Sequence, residues 1–426
     1  MRAQTRFKFI HAADVHLDSP LRGLERYEGA PVDELRRASR DAFDAMVALA
    51  IEEEVAFVII AGDLYDGKWR DYNTGLYLVG QLAKLREAGI DAYILAGNHD
   101  AESQITQHLS LPQNTSRFGS KGPQTFSIED LGVDLHGQSY AHRDVSLDLS
   151  EAYPDPTPGR FNIGVLHTAL NGREGHAPYA PCSLEALKNK GYNYWALGHV
   201  HKREVLSEDP WIVFPGNLQG RHIKETGAKG CSLVTVEDHR VVDISHEIVD
   251  VLRWADCHID ISQCSTESDI ITMVGRHLET EVAMAEGRLV AARVRLTGVS
   301  QLHSALASDW ERWVGEVRAK GVDLGQVWIE QVRLESRPQM DVAKIAARDD
   351  ALGSLLKGFG EEVDPEVAEA LIKALAPLAN KIHSDLKSEN TALRALEDPN
   401  HPAMVSLWQG ARQLVIGHLM TGEDPS

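Results

Sequence analysis

Short apolar runs that alternate with helix-like stretches constrain the fold of this chain most strongly. Before about Val251 these runs have the length and β-branched character of strands: Phe7–Ala12, Ala56–Ala61, Ala92–Leu95, Asn162–Leu166, Tyr194–Leu197, Trp211–Phe214 and Gly230–Val236. Between them, Asp33–Glu53 and Asp71–Ala88 carry apolar residues at helical spacing. This order predicts a layered α/β domain.

The chain changes character after about Arg253. Strand-like and helical segments then alternate and predict a small βαβαβ domain: Cys257–Ile261, Glu267–Ala285, Arg288–Leu296, Ser304–Ala319 and Gln326–Leu334. Beyond Ser336 the apolar spacing is that of helices only. We therefore predict domains over 1–252 and 253–338, followed by a helical region over 339–426.

The composition excludes several classes of protein. The net charge is -20, from 43 basic and 63 acidic residues spread over both halves of the chain, which argues against a long-range field that attracts DNA. The four cysteines form no CxxC pair and suit reduced thiols. A polar start and the absence of any long apolar run predict neither a signal peptide nor a membrane span. We expect a cytoplasmic protein.

Polar motifs follow five of the apolar runs and supply the residues that can do chemistry. They are Asp14-Val15-His16, Gly62-Asp63-Leu64-Tyr65-Asp66, Gly97-Asn98-His99-Asp100, His167 and Gly198-His199-Val200-His201. Each lies at the carboxyl end of a predicted strand, where open α/β sheets place their ligand sites. We therefore expect the motifs to meet at one edge of one sheet.

The side chains of these motifs match the ligands of metal ions. Imidazole, carboxylate and amide donors come from Asp14, His16, Asp63, Asn98, His167, His199 and His201. This mixture suits Mn, Fe or Zn better than Ca or Mg. The set is too large for one tetrahedral ion and suits two ions that share a carboxylate. The glycines before Asp63, Asn98 and His199 are predicted to permit tight turns.

Each motif taken alone has an ordinary structural explanation. Asn and Asp favour turns in any loop, and an HxH pair is unremarkable in a chain with 19 histidines. The occurrence of all five motifs, each after a predicted strand, favours a metal site over coincidence.

The five motifs, over roughly Phe7–His201, resemble the signature of the calcineurin-like metallophosphoesterases: D-x-H, G-D-x-x-D, G-N-H-D/E, a lone H and G-H-x-H. The stretch Pro215–Arg221 and the following Glu-Thr-Gly-Ala-Lys-Gly are similar to those of SbcD and YhaO-type DNA-repair exonucleases. The resemblance implies a four-layer αββα sandwich, followed by a small α+β capping domain that helps to bind DNA and by C-terminal helices that dock on a coiled-coil ATPase.

The resemblance also implies roles for individual residues. One ion would be held by Asp14, His16, Asp63 and His201, and the other by Asp63, Asn98, His167 and His199. Asp63 would then bridge the ions. His99 would be the catalytic histidine, and Asp100 would orient it. Position 66 holds Asp where archaeal and eukaryotic members carry an assisting His, so we assign Asp66 no role.

The function implied is hydrolysis of DNA phosphodiester bonds by an exonuclease with two divalent ions. Mn is the expected metal, and Fe, Zn and Mg are the alternatives. The expected partners are DNA, a coiled-coil, SMC-like ATPase and a second copy of the chain. The sequence has no G-x-x-x-x-G-K-[ST] motif of its own, so an ATP-driven step would have to come from the ATPase. Two other functions stay open: a small-molecule or protein phosphatase or phosphodiesterase on the same fold, and a scaffold with a vestigial site.

Overall fold

The computed structural model describes residues 6–19, 31–66, 72–102, 110–170 and 180–339, together with 372–373, 376–377 and 408. The chain divides into two compact units. The first comprises the chain up to Asp256 with Leu278–Arg293 and Gly321–Gln331, and the second comprises Cys257–His277, Val294–Lys320 and the chain from Val332 onward. The predicted domain limits stay predictions, and almost all of the predicted C-terminal helices lie outside the described residues.

The first unit contains two six-stranded sheets. In chain order the strands are β1 (Arg6–Ala12), β2 (Phe57–Ala61), β3 (Asp91–Leu95), β4 (Thr115–Arg117), β5 (Gln124–Ile128), β6 (Val133–Gly137), β7 (Phe161–His167), β8 (Tyr194–Gly198), β9 (Glu204–Glu208), β10 (Trp211–Phe214), β11 (Gly230–Glu237) and β12 (Arg240–Ile248). The strand orders are β12-β11-β1-β2-β3-β4 and β5-β6-β7-β8-β10-β9. The central strands β1, β2 and β3 are parallel to one another, and so are β6, β7 and β8.

The two sheets pack face to face through an aromatic core. Phe9 and Phe57 from the first sheet stack with ring centroids 5.0 Å apart, and Tyr194 from the second meets Phe9 edge-on at 5.3 Å. Phe161 lies in the same cluster. Because both faces of the central strands are covered, these strands are continuous apolar runs, and this explains why the sequence predicted them well.

Helices cover the two outer faces of the pair of sheets. Helices α1 (Val32–Glu52) and α2 (Tyr72–Glu87) bury Phe43 and Leu82 against the first sheet. Helix α3 (Leu184–Asn189) buries Leu187 against the second sheet beside Trp195, and Ser183 caps it by accepting a hydrogen bond from the Ala186 backbone N–H. The α/β class and the four-layer αββα arrangement are confirmed.

The predicted strands and helices of this unit are confirmed to within one residue at each end. The sequence missed β4, β5, β6, β9 and β12. Four of these have partly exposed residues along most of their length, so their sequences are polar. Strand β6 is fully buried, but Asp134 and His136 interrupt its apolar pattern. Both polar groups are paired there, since Asp134 accepts a hydrogen bond from Ser127 and His136 contacts Asn162.

The remaining elements follow the predicted βαβαβ order, but the second helix is divided in two and two short strands are added. They are β13 (Leu252–Asp260), α4 (Glu267–Ala285), β14 (Leu289–Thr297), β15 (Val299–Ser300), α5 (His303–Ser308), α6 (Trp310–Leu324), β16 (Val327–Leu334) and β17 (Arg337–Pro338). The sheet orders are β13-β14-β16 and β15-β17. The single helix predicted over Ser304–Ala319 is wrong, because Asp309 leaves the helical region at φ -129 and ψ 47 and separates α5 from α6. No helix in the described ranges is long and apolar enough to cross a membrane.

Candidate metal centre

The five polar motifs meet at the carboxyl ends of strands from both sheets. Strands β1, β2 and β3 carry three of them, and β7 and β8 of the second sheet carry the others. Direct contacts join the two sheets here, since the His167 ring Nδ1 lies 2.9 Å from the Ala61 carbonyl oxygen and the His199 backbone N–H donates to Asp14 at 3.0 Å. The prediction that all five motifs lie at one edge of a single sheet is therefore wrong, because the site lies between two packed sheets.

One cluster of donor atoms comes from Asp14, His16 and His201, all within 4.8 Å of one another. The Nε2 atoms of His16 and His201 face each other at 3.2 Å. His201 Nε2 lies 3.9 Å from an Asp14 carboxylate oxygen. Two convergent imidazole nitrogens beside a buried carboxylate form a donor set that suits a divalent transition-metal ion.

A second cluster comes from Asp63, His167 and His199, again within 4.8 Å. His167 Nε2 lies 3.5 Å from Asp63 Oδ2 and 3.0 Å from the Asn98 side-chain oxygen. The same Asp63 oxygen lies 3.8 Å from His16 Nε2 in the first cluster. The structure thus brings together all seven predicted ligands and places Asp63 between the two groups.

Hydrogen bonds orient two of these imidazoles for metal binding. His167 Nδ1 contacts the Ala61 carbonyl oxygen, and His201 Nδ1 lies 2.6 Å from Glu225 Oε1. Both partners are acceptors, so each Nδ1 carries a proton, and this leaves Nε2 as the nitrogen of each ring that can bind an ion. Glu225 is a residue that the sequence analysis did not assign, although its Glu-Thr-Gly-Ala-Lys-Gly segment was noted.

Left-handed backbone conformations are concentrated in the motifs. Asp14, His16, Asp63 and His199 have φ values of 51°, 46°, 53° and 99°. Such values are costly for residues other than glycine and persist where surrounding structure enforces them, commonly at functional sites. This strain indicates that the loops are built to aim their side chains.

Glycines adjoin the site for two different physical reasons. Gly62 has φ +98°, so it fits the predicted tight turn. At Gly97 and Gly198 the reason is close approach instead of turn geometry. A Cβ on Gly97 would lie 2.3 Å from Asp63 Oδ1, and one on Gly198 would lie 1.9 Å from the Ala61 carbonyl oxygen.

The electrostatics of the centre favour a bound cation. Burial raises the pKa of Asp14 to about 6. Burial also opposes ionisation of Asp63, but the charge and hydrogen bond of His167 outweigh it and hold the Asp63 pKa well below its usual range. In turn Asp63 overcomes the effect of burial on His167 and raises its pKa to about 9. Buried carboxylates need such positive charge, and a divalent ion displaces the proton because ligating imidazoles are neutral.

His99 pairs with Asp66 at the open side of the centre. His99 Nδ1 lies 2.7 Å from Asp66 Oδ1, and the Ser19 hydroxyl donates to Asp66 Oδ2 at 2.6 Å. Burial opposes the His99 charge, but the hydrogen bond to Asp66 and the nearby carboxylates raise the His99 pKa overall. The His99 side chain keeps 29% of its surface exposed, so a substrate can reach it.

Asp100 does not contact the His99 ring, which corrects the expectation that it orients this ring. Its carboxylate accepts hydrogen bonds from the backbone N–H groups of Leu64, Tyr65 and Gly97 at 2.8–3.1 Å. Asp100 starts a short turn that directs its side chain back onto the two loops. It therefore holds the G-D-x-x-D and G-N-H-D loops together, and Asp66 is the carboxylate that orients His99.

Comparisons with known proteins agree with this arrangement. The calcineurin-like phosphoesterase family matches residues 7–203, and the metallophosphoesterase YhaO middle-domain family matches residues 254–337. The uncharacterized metallophosphoesterase YhaO of Bacillus subtilis (strain 168) is 38% identical over 277 residues, which are 63% of this chain and 67% of that protein.

More distant similarities extend over most of the chain. The DNA double-strand break repair protein Mre11 of Methanopyrus kandleri is 25% identical over 411 residues, 85% of each chain, and that of Sulfurisphaera tokodaii is 25% identical over 239 residues, 53% of this chain and 59% of that protein. A solved dimetal phosphatase from Danio rerio has a TM-score of 0.35 and 15% identity, covering 57% of this chain and 99% of its own. From its motifs, its four-layer fold and its identity to YhaO, this chain belongs to the calcineurin-like metallophosphoesterases.

Proposed function

We propose that this phosphoester hydrolase is a DNA exonuclease of the SbcD type that cleaves phosphodiester bonds with two divalent ions. The observation that carries the proposal is the position of Asp63 between two histidine clusters, with the His99–Asp66 pair beside them. Asp14, His16 and His201 would hold one ion with Asp63. Asn98, His167 and His199 would hold the other with the same carboxylate.

When bound, two such ions would lower the pKa of a water molecule and neutralise negative charge on the phosphate oxygens. Manganese is the metal we propose, with iron, zinc and magnesium as alternatives, because nitrogen and oxygen donors are mixed at both clusters. Metal analysis of the purified protein would identify the ion.

His99 supplies the acid function in this proposal. Its Nδ1 is bound to Asp66, so its Nε2 is the nitrogen that is free to act on the substrate. A charged imidazole there stabilises negative charge on the leaving oxygen or donates a proton to it. Asp66 keeps the ring oriented and charged, and Asp100 acts indirectly by holding the two loops in place.

Similarity to Mre11 over 85% of both chains supports DNA as the substrate. The net charge of -20 favours the alternative, a phosphatase or phosphodiesterase for small molecules or proteins. We propose that a coiled-coil, SMC-like ATPase provides the cationic surface that this chain lacks, and that a second copy of the chain completes the assembly. The four cysteines are free and buried, which supports a reducing, cytoplasmic location.

A substrate comparison tests the proposal. Purified protein with Mn²⁺ is given linear duplex DNA, single-stranded DNA, a cyclic nucleotide and p-nitrophenyl phosphate, each also with His99→Ala to detect contaminating nucleases. We expect DNA cleavage from the ends that the variant lacks. Efficient turnover of p-nitrophenyl phosphate with no cleavage of DNA, even with the copurified ATPase, would establish the phosphatase alternative.

A further inference from the structure

Arg221 lies in the loop between β10 and β11, next to the first ligand cluster. Its backbone N–H donates to Glu225 Oε2 at 2.8 Å, which fixes the loop at this residue. One terminal nitrogen of its guanidinium lies 3.6 Å from Glu225 Oε1 and 3.5 Å from His201 Nδ1. The side chain is mostly buried, with 20% of its surface exposed.

Among the described residues, one N–H donor of this guanidinium, that of Nε, has no hydrogen-bond partner, and the terminal nitrogen near Glu225 has only long contacts. A guanidinium has five N–H donors, and a separation of 3.6 Å is too long for a hydrogen bond. His201 Nδ1 is no acceptor for Arg221, because it donates its own proton to Glu225 at 2.6 Å. The Arg221 Nε atom is buried and has no hydrogen-bond partner among the described residues. A buried N–H donor without a hydrogen-bond partner is costly, so the Nε atom is suited to a ligand that accepts its hydrogen bond.

The charge of Arg221 reaches residues on the open side of the centre. After burial, the charge of Arg221 is the main influence that lowers the pKa of His16. The same charge acts on Asp66 and His99. These three residues form a cluster at the open side, with donor atoms within 4.8 Å of one another. A phosphoryl group beside His99 is therefore within the field of Arg221.

We infer that Arg221 binds the non-bridging oxygens of the phosphoryl group that is hydrolysed. This inference rests on the proposed phosphodiesterase function and adds a substrate-binding group to it. The planar, forked donors of arginine match phosphate oxygens in pairs, which a lysine ammonium does not reproduce. Glu225 then serves two groups at once, since it orients the His201 ring and anchors the backbone of Arg221.

Two substitutions at Arg221 and one matched control test the inference. Arg221→Met removes the guanidinium, Arg221→Lys keeps the charge, and Lys224→Met removes an exposed cation from the same loop. The full-length protein is loaded with Mn²⁺, and kcat/KM is measured with bis(p-nitrophenyl) phosphate and with duplex DNA. Bound metal and inhibition by orthophosphate are measured in parallel.

We expect Arg221→Met to lose about 10²–10³-fold in kcat/KM on both substrates, the usual effect of removing one charge-stabilising donor. Orthophosphate should inhibit it at least about tenfold more weakly, since a charged hydrogen bond is lost. Arg221→Lys should recover part of the loss, and Lys224→Met should behave as wild type. Bound metal should not change in any variant.

Three results would overturn the inference: unchanged kinetics in Arg221→Met, a loss of activity that follows a loss of metal, or a loss on DNA alone. The second would make Arg221 a support for His201, and the third would place it against another part of the substrate. If the wild type hydrolyses no phosphodiester, the proposed function fails, but calorimetry with orthophosphate still decides the role of Arg221. Weaker binding in Arg221→Met would support it, and equal binding would refute it.

Discussion

At the scale of single residues, Asp63 is the side chain on which both proposed ion sites would depend. Its carboxylate lies 3.5 Å from His167 Nε2 and 3.8 Å from His16 Nε2, so it reaches both clusters. Asp63→Asn removes the shared charge, and we expect it to reduce metal binding at both sites by more than the ~10–100-fold cost of losing an outer partner of a ligand. Asp14→Asn should weaken one site only. Elemental analysis of both variants measures this, and full metal content with full activity in Asp63→Asn would refute the bridging role.

His99 and Asp66 should affect turnover without affecting metal binding. His99→Ala removes the group that we propose acts on the leaving oxygen, and we expect a loss of about 10²–10⁴-fold in kcat with metal content unchanged. Asp66→Asn should lower kcat by a smaller factor, because it leaves the His99 imidazole in place and removes only the carboxylate that orients it. Steady-state kinetics and elemental analysis on the same samples separate the two effects. A parallel loss of metal would make His99 a ligand.

We expect His11 to make the stability of the unit with the two six-stranded sheets depend on pH. This buried ring lies 2.9 Å from the Tyr194 hydroxyl and 3.0 Å from the Leu197 carbonyl oxygen. Burial lowers its pKa from 6.5 to about 3, with the Leu197 hydrogen bond opposing. Between these values the unfolded chain binds more protons than the folded one, so this contribution to stability rises with pH and is lost on acidification.

Between about pH 3 and pH 6.5, the contribution of His11 to the free energy of unfolding should change by about 1.4 kcal/mol for each pH unit. From pH 6.5 to pH 4.5 the metal-free wild type should lose about 2–3 kcal/mol more unfolding free energy than His11→Gln, whose side chain does not titrate. Urea unfolding at the two pH values measures the difference. Equal losses in the two proteins would show that His11 is solvated or protonated in the folded state.

At the scale of secondary-structure elements, the strand ends leave no room for larger residues. A Cβ on Gly97, just after β3, would lie 2.3 Å from Asp63 Oδ1 and 2.8 Å from the Asp63 backbone nitrogen. We expect Gly97→Ala to displace the loop and to weaken metal binding at least tenfold, in line with the ~10–100-fold range for disturbed ligand supports.

Gly80 in helix α2 is the matched control for this substitution. Nothing lies within 4 Å of a Cβ built there. Gly80→Ala should therefore leave metal binding unchanged and stabilise the protein by about 0.5–1 kcal/mol, because alanine loses less backbone entropy in a helix. Thermal unfolding and metal titration of the two variants compare the effects. Normal metal binding in Gly97→Ala would show that this loop has space to adjust.

At the scale of the whole molecule, strand β17 sets the place for a truncation that tests partner binding. The Arg337 backbone N–H donates to the Gly298 carbonyl at 2.7 Å, and that of Gln339 donates to the Ser300 carbonyl at 3.1 Å. A cut after Glu335 would remove these bonds, whereas a chain that ends at Gln339 retains them. We expect the chain ending at Gln339 to hydrolyse bis(p-nitrophenyl) phosphate normally and to lose the copurifying ATPase.

Affinity purification from the source cell tests this prediction by comparing the amount of ATPase recovered with the full-length and the shortened chain. The proposed docking would bury apolar area of order 10³ Å², enough for a stable complex. The His99→Ala full-length protein is the control, because it should capture the ATPase without hydrolysing phosphodiesters. Equal recovery of an ATPase with both chains would place its binding site before residue 340.

The sequence by itself determined the central strands, the helices that cover them and the motifs at the strand ends. Strands buried on both faces must be apolar throughout, and ligands must be His, Asp or Asn, so both leave a local pattern. Strand β6 was not predicted, because paired polar residues occupy some of its buried positions and interrupt the apolar pattern. The strands at the sheet edges were not predicted either. Their side chains are partly exposed to solvent, so their sequences need not be apolar.

Only the tertiary structure decided how the motifs meet. That they lie between two sheets follows from packing of faces whose strands are distant in sequence, as the contact between His167 and Ala61 shows. The choice of Asp66 over Asp100 as the partner of His99 depends on which way each side chain leaves its loop. The support of His201 by Glu225 arises from a loop 24 residues further along the chain. Such pairings depend on distance in space, and a single sequence records only distance along the chain.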